Sequence, residues 1–191
     1  MKPKAYLLVF DGMADWEPAH ALCEINKSQK YDVVATGFSD KQVTTMGGLK
    51  LISEITIRDV NPAEACIFIM PGGDMWESYS DEGLINLLHG LHAENVPIGA
   101  ICGATLEIAR AGLTRNVRHT SNGKEYLKTM VPDYRDEEFY VDGLAVSDDN
   151  LITASGLGSV EFGREIIKQL GIYNEGDTKL WFDMFKHGVL P

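Results

Sequence analysis

Three short runs in this chain are apolar at nearly every position instead of every second one: AYLLVF at 5–10, CIFIM at 66–70 and VPIGAI at 96–101. A strand with one wet face alternates, so unbroken runs of this length mark strands covered on both faces, as in a parallel sheet. Helical spacing fills the intervals. Trp16, Ala19, Leu22, Cys23 and Ile25 or Asn26 recur at three- and four-residue steps, and Pro18 suits a first helical turn. The leucines and Ile85 between 81 and 95 share a face, as do Leu106, Ile108, Ala109 and Leu113, with Gly112 placed as a left-handed cap. Residues 31–36 and 117–122 are further strand candidates, 42–57 a small strand pair around Met46-Gly47-Gly48, and 139–155 a hairpin turning at Asp148-Asp149-Asn150. A last amphipathic helix is expected over 160–170 and a C-terminal helical appendage over 173–191. The alternation predicts an α/β fold: a doubly wound, mostly parallel sheet with helices on both faces and ligand chemistry at the carboxyl ends of its strands. With 191 residues and no linker, repeat or low-complexity stretch, residues 1–191 are expected to form a single domain.

Composition narrows the function. A net charge of −11 without a local Lys/Arg cluster repels polyanions, so nucleic acid is not an expected partner. No apolar run approaches bilayer length, and the first apolar run stops at Asp11 with no small-residue cleavage site after it, which predicts a soluble, cytoplasmic protein. Cys23, Cys66 and Cys102 are odd in number and widely spaced, fitting neither a disulfide framework nor a zinc site, and are expected as reduced thiols.

The stretch PIGAICGATLEIARAG, 97–112, runs from a buried strand into a helix with Cys102 at the corner. A nucleophile elbow needs small residues two positions to either side, and Ala100 and Ala104 meet that demand. At such a corner the first amides of the helix favour a thiolate and predict a pKa below the ordinary value of about 8.5, while the Gly103 N–H faces a developing oxyanion. The same cysteine is also readable as a small, well-buried hydrophobe, and the turn alone does not separate the two.

AICGAT at 100–105, with DWEPAH at 15–20, PGGDMW at 71–76 and LITASGLGSVEF at 151–162, resembles the ThiJ/PfpI superfamily, flavodoxin-like relatives of the class I glutamine amidotransferases. Four motifs in matching order span most of the chain. The resemblance implies a flavodoxin-like fold and an acidic residue beside the cysteine just after the first strand, here Glu17. A buried carboxyl tends to stay protonated, and a neutral acid can donate to a thiolate without like-charge repulsion; without the resemblance, Glu17 is equally a solvated first-turn glutamate. The resemblance also implies that Gly73 supplies a second oxyanion donor beside Gly103, although a plain turn explains Pro71-Gly72-Gly73 as well. Trp16 and Trp76 are candidate pocket walls.

The base is where this sequence departs from the pattern. Many PfpI-type proteases carry a histidine directly after the cysteine, where Gly103 stands, and other members place one about twenty residues downstream, where Asn122 stands. His119 is close in sequence, but alternation along an extended segment points it away from the Asn122 side unless a bulge or a change of register intervenes. Ser155, Gly156 and Leu157 occupy the region of the glutaminase His–Glu pair, so glutamine hydrolysis is not expected. His20, His89, His92 and His187 show no pairing with Cys102. His89 and His92 share a helical face without a third ligand, and no metal is expected.

These residues imply a cysteine-dependent enzyme in which Cys102 adds to an electrophilic carbon, Glu17 holds the proton and the Gly73 and Gly103 amides stabilise the oxyanion. The resemblance implies amide or peptide hydrolysis or, as in other superfamily members, hydration of a reactive aldehyde such as a glyoxal, on a small-molecule or peptide substrate and without a cofactor. The alternatives are a non-enzymatic redox or stress sensor using the same thiol and an interaction or small-molecule binding module that uses the crevice with no chemistry. Superfamily members are often dimers, so a homodimer is expected.

Overall fold

The computed structural model describes residues 2–190. Seven strands form one sheet in the order β5-β2-β1-β6-β7-β9-β8. They are β1 (Lys4–Val9), β2 (Asp32–Gly37), β5 (Ile55–Thr56), β6 (Ala65–Met70), β7 (Ile98–Ile101), β8 (Ala145–Asp148) and β9 (Leu151–Ala154). Every pairing is parallel except that of β8 with β9. A separate antiparallel pair, β3 (Gln42–Thr44) and β4 (Lys50–Ile52), turns around Met46-Gly47-Gly48. The three unbroken apolar runs become β1, β6 and β7 at the centre of the sheet, with Leu8, Ile67, Ile69 and Ile98 among their buried residues.

Two groups of helices cover the sheet. One comprises α1 (Trp16–Ser28), α5 (Ser159–Gln169) and α6 (Glu175–His187); the other comprises α2 (Glu82–Ala93), α3 (Ala104–Arg110) and α4 (Lys124–Met130). Asp81 caps α2 by accepting from the Leu84 amide, and Gly112 takes φ +68° just beyond α3, where Leu113 N–H closes onto Ile108 O. The doubly wound α/β architecture follows the sequence pattern. Among the described residues no helix is long and apolar enough to cross a membrane.

Four local expectations are corrected. The inward face of α1 is Glu17, Pro18, Ala21, Glu24 and Ile25, while Trp16 and Cys23 are exposed. The helix is rotated from the purely apolar stripe because two buried glutamates find partners. Glu24 is held by Lys27 and the Tyr173 hydroxyl, and Glu17 by the Gly72 amide. Residues 117–122 are not a strand: His119 alone forms a bridge, to Tyr140, because the next amide, that of Thr120, donates to the Thr153 hydroxyl instead of to a backbone carbonyl. The hairpin over 139–155 pairs only as β8 and β9, with Phe139 ending a 3₁₀ turn. The helix α4 was not anticipated.

The β3–β4 pair matters for function because it is tied to the start of α1. Gly12 N–H donates to Thr44 O at 2.8 Å, Thr44 N–H to Asp11 Oδ1 at 2.8 Å, Met46 N–H to Met13 O at 2.8 Å and Gly47 N–H to Asp15 Oδ2 at 2.6 Å. These bonds bring Met46 over the carboxyl ends of the central strands.

Candidate active site

β7 leads directly into Cys102, whose φ of +60° is left-handed, and Gly103 then opens α3 at φ −59°. A non-glycine residue there stores roughly 1 kcal/mol of backbone strain. The corner is held on both sides: Cys102 N–H donates to Ala154 O at 2.9 Å, while the Thr105 hydroxyl and amide donate to Cys102 O at 2.6 and 3.2 Å. Ala100 and Ala104 are fully buried against it.

Glu17 is 1% exposed and lies beside the sulfur. Its Oε2 accepts from Gly72 N–H at 2.5 Å, and its carboxyl is within hydrogen-bonding reach of Cys102. Glycine is needed where the backbone crosses this pair. A Cβ on Gly72 would stand 2.6 Å from the Cys102 Cβ and 2.7 Å from Glu17 Oε2, and one on Gly156 would stand 2.9 Å from Sγ and 3.3 Å from Glu17 Oε1. On its remaining side the sulfur receives Asn122 Nδ2 at 3.2 Å. Gly156 N–H donates to Asn122 Oδ1 at 2.9 Å, which fixes the amide so that its donor end faces the thiol.

Burial pushes the Glu17 carboxyl from 4.5 up to about 7, against the pull of the Gly72 amide and Cys102. The thiol departs from expectation. Burial pushes it above its ordinary value, the Asn122 and Gly103 amides pull it down, and a carboxylate at Glu17 pushes it up again. The helix-start amides therefore do not depress the thiol by themselves. A buried carboxyl and a half-buried thiol in contact titrate as one unit, and when they hold a single proton it sits either on the carboxylate or on the sulfur. Gly72 stabilises the Glu17 anion, whereas Asn122 and Gly103 stabilise the sulfur anion.

The other sequence candidates separate clearly. Gly73 and Gly103 line a cavity of about 310 Å³ over the thiol, together with Trp16, Glu17, Met46 and Asn122. Trp76 does not line it. Its indole is buried beneath Gly103, donates to Pro71 O at 3.0 Å and packs edge-on against Phe10. His119 is fully buried and turned away: Nδ1 lies 2.7 Å from Val117 O and Nε2 2.6 Å from the Tyr134 hydroxyl, with Tyr134 and Tyr140 edge-on to the ring. Burial lowers its pKa, so it stays a neutral structural imidazole. His89 meets Ala111 O at 2.7 Å.

Sequence reasoning missed five wall residues, Ala14, Met46, Asp74, Glu77 and Tyr126. Asp74 and Glu77 sit in the turn after Pro71-Gly72-Gly73, and PGGDMWE carried that placement. Tyr126 lies on the unanticipated α4; its hydroxyl donates to Glu77 Oε1 at 3.3 Å and its pKa is pushed up to about 12, mainly by burial.

Comparison with known proteins identifies the family. The model of the DJ-1/PfpI family matches residues 3–169. An uncharacterized protease of Bacillus subtilis, YoaZ, is 33% identical over 190 residues, covering 96% of this chain and 90% of that protein. A deglycase of Pyrococcus abyssi is 27% identical over 133 residues, covering 68% of this chain and 78% of that protein. The crystal structure of a thiJ/pfpI family protein from Bacillus anthracis superimposes with a TM-score of 0.90 at 32% identity, covering 99% of this chain and 92% of that one. With the family model spanning most of the sequence and a full-length relative at one-third identity, the chain belongs to the DJ-1/PfpI family.

Proposed function

We propose that the chain is a cysteine-dependent enzyme acting on reactive 2-oxoaldehydes of the glyoxal type, converting them with water into 2-hydroxy acids. The observation that carries this reading is the buried Glu17 carboxyl beside Cys102, with Asn122 on the sulfur's other side. Asn122 neither takes nor gives up a proton at neutral pH, and His119 is occupied elsewhere. Amide hydrolysis needs a base that activates water and an acid for a poor leaving group. Aldehyde chemistry expels only a thiolate, which leaves without an acid, so one proton carrier in contact with the nucleophile serves each step in turn, and Glu17 is such a group.

In the singly protonated pair, the form with the proton on Glu17 is the reactive one. The thiolate attacks the aldehyde carbon, a C–S bond forms, and the carbonyl electron pair moves to oxygen, which faces Gly73 and Gly103 and takes the Glu17 proton. The resulting carboxylate removes that carbon's hydrogen as a proton, leaving an enediolate, and returns it to the neighbouring carbon, while the proton of the new hydroxyl passes to the neighbouring oxygen. The first carbon is thereby oxidised to a thioester and the second reduced to an alcohol, without an external oxidant or reductant. Water gives a proton to the Glu17 carboxylate and its oxygen adds to the thioester carbon; the C–S bond breaks with its electron pair on sulfur, releasing the 2-hydroxy acid and restoring the thiolate beside a protonated Glu17. Relatives named protease and deglycase fit a family that acts on more than one kind of carbonyl substrate.

The test is conversion of methylglyoxal to lactate followed by NMR. Wild type is expected to turn over, and Cys102→Ser and Glu17→Gln to lose at least about a thousandfold in kcat/KM. Absence of turnover, with stoichiometric oxidation of Cys102 by peroxide, would replace this reading with the sensor. Peptide or amide hydrolysis that vanishes in Cys102→Ser would replace the substrate class.

A further inference from the structure

The cavity over Cys102 carries more charge than its chemistry uses. Besides Glu17, its wall includes the carboxylates of Asp74 and Glu77, both exposed at the mouth, and no lysine, arginine or histidine. Among the described residues neither Asp74 nor Glu77 is in an ion pair; the only hydrogen bond to either side chain is the one Glu77 receives from Tyr126. A second, independent feature stands at the same mouth. The Trp16 indole is 51% exposed although it opens a helix whose other face is buried, and with Met46 it forms a soft wall beside the carboxylates.

Unpaired carboxylates and an open indole face are the two groups that recognise an organic cation, the first by Coulomb attraction and the second through the ring quadrupole. The same groups repel a carboxylate or phosphate. We propose that this crevice selects carbonyl substrates bearing a protonated amine or guanidinium over anionic ones, with Asp74, Glu77 and Trp16 as the specificity determinants. The inference rests on the proposed function only in taking Cys102 as the reacting atom. Because Asp74 and Glu77 are in contact with solvent, their effect falls with ionic strength.

Methanethiosulfonates of different charge test this without any turnover. The Cys102 thiolate attacks the sulfenyl sulfur, a disulfide forms, and methanesulfinate leaves with the electron pair. Rates for the trimethylammonium-ethyl, sulfonato-ethyl and uncharged methyl reagents are read at Cys102 by mass spectrometry of its peptide, which separates it from Cys23 and Cys66. Each charged rate is divided by the uncharged rate on the same protein, so a change in thiol reactivity cancels, and then by the same ratio for 2-mercaptoethanol. At low salt the wild-type cation-to-anion ratio is expected to be about tenfold or more. It should drop below about threefold in the Asp74→Asn/Glu77→Gln double variant, and Trp16→Ala should slow the cation while sparing the anion. A wild-type ratio near one overturns the proposal, and so does a tenfold ratio that survives the double variant, which would assign the preference to the net charge of the chain. Missing glyoxal turnover alongside a tenfold ratio would instead overturn the proposed reaction and leave the selectivity standing.

Discussion

Replacing Glu17 by glutamine removes one titration from the folded chain, and its effect on stability has a calculable pH dependence. In the native protein burial holds the carboxyl at about 7, whereas the unfolded chain releases that proton near 4.5. Below about pH 4 both states are protonated and the group contributes no pH dependence. Between the two values the native state binds more protons than the unfolded one, so native stability falls as pH rises, and the loss is complete above about 7. At about 1.4 kcal/mol per pH unit, the full loss is about 3 kcal/mol. Glutamine cannot ionise, so the variant escapes it. Urea unfolding of both proteins between about pH 4 and pH 8 should therefore show the stability difference, variant minus wild type, climbing by about 3 kcal/mol with its midpoint between the two pKa values. Any pH-independent offset from new amide contacts leaves the slope untouched. A difference that stays flat would mean that Glu17 ionises as a solvated carboxylate, and the proton-sharing argument would fail.

Four further outcomes follow from the same geometry. The kcat/KM for methylglyoxal should rise with pH through about 7, as the pair loses its first proton, and fall again only above the ordinary thiol range, where the second leaves; a profile with no limb near 7 would contradict the assignment of Glu17. Asn122→Ala removes a donor to the sulfur anion and should slow Cys102 alkylation at neutral pH by about tenfold, with an unchanged rate counting against that bond. Gly156→Ala puts a methyl 2.9 Å from Sγ, so it should cost about 1–3 kcal/mol in stability and slow alkylation, whereas wild-type rates would show that the backbone there yields freely. His119→Ala should destabilise by about 2–4 kcal/mol, because the Tyr134 hydroxyl and Val117 carbonyl lose a buried partner, yet leave the alkylation rate per folded molecule unchanged; a rate collapse would return His119 to the site.

The sheet was legible because β1, β6 and β7 are covered on both faces, and such strands cannot carry an alternating pattern. Helix α1 was harder. Its inward face holds Glu17 and Glu24, whose burial depends on Gly72, Lys27 and Tyr173, partners far along the chain or invisible to periodicity. The corner at Cys102 was legible from the small residues around it, since a tight turn excludes bulk whatever its neighbours do. The direction of the thiol's pKa was not. Proximity to a helix start predicts a fall, but burial and the second acid in contact with it outweigh two amide donors, and that balance exists only once Glu17 and Cys102 meet. Trp76 illustrates the same limit: an aromatic after Pro71-Gly72-Gly73 packs under Gly103 as readily as beside it, and only the fold decides.

The account turns on one proton being held jointly by a carboxyl and a thiol. The pH dependence of Cys102 alkylation by iodoacetamide, in wild type and Glu17→Gln, addresses that directly. Wild type should show two steps, a partial rise through about 7 to a plateau and a second rise above the ordinary thiol range, and Glu17→Gln a single step below the upper one, because the competing carboxylate is gone. The same single step at the same pH in both proteins would show that the two groups titrate independently, and would contradict the account.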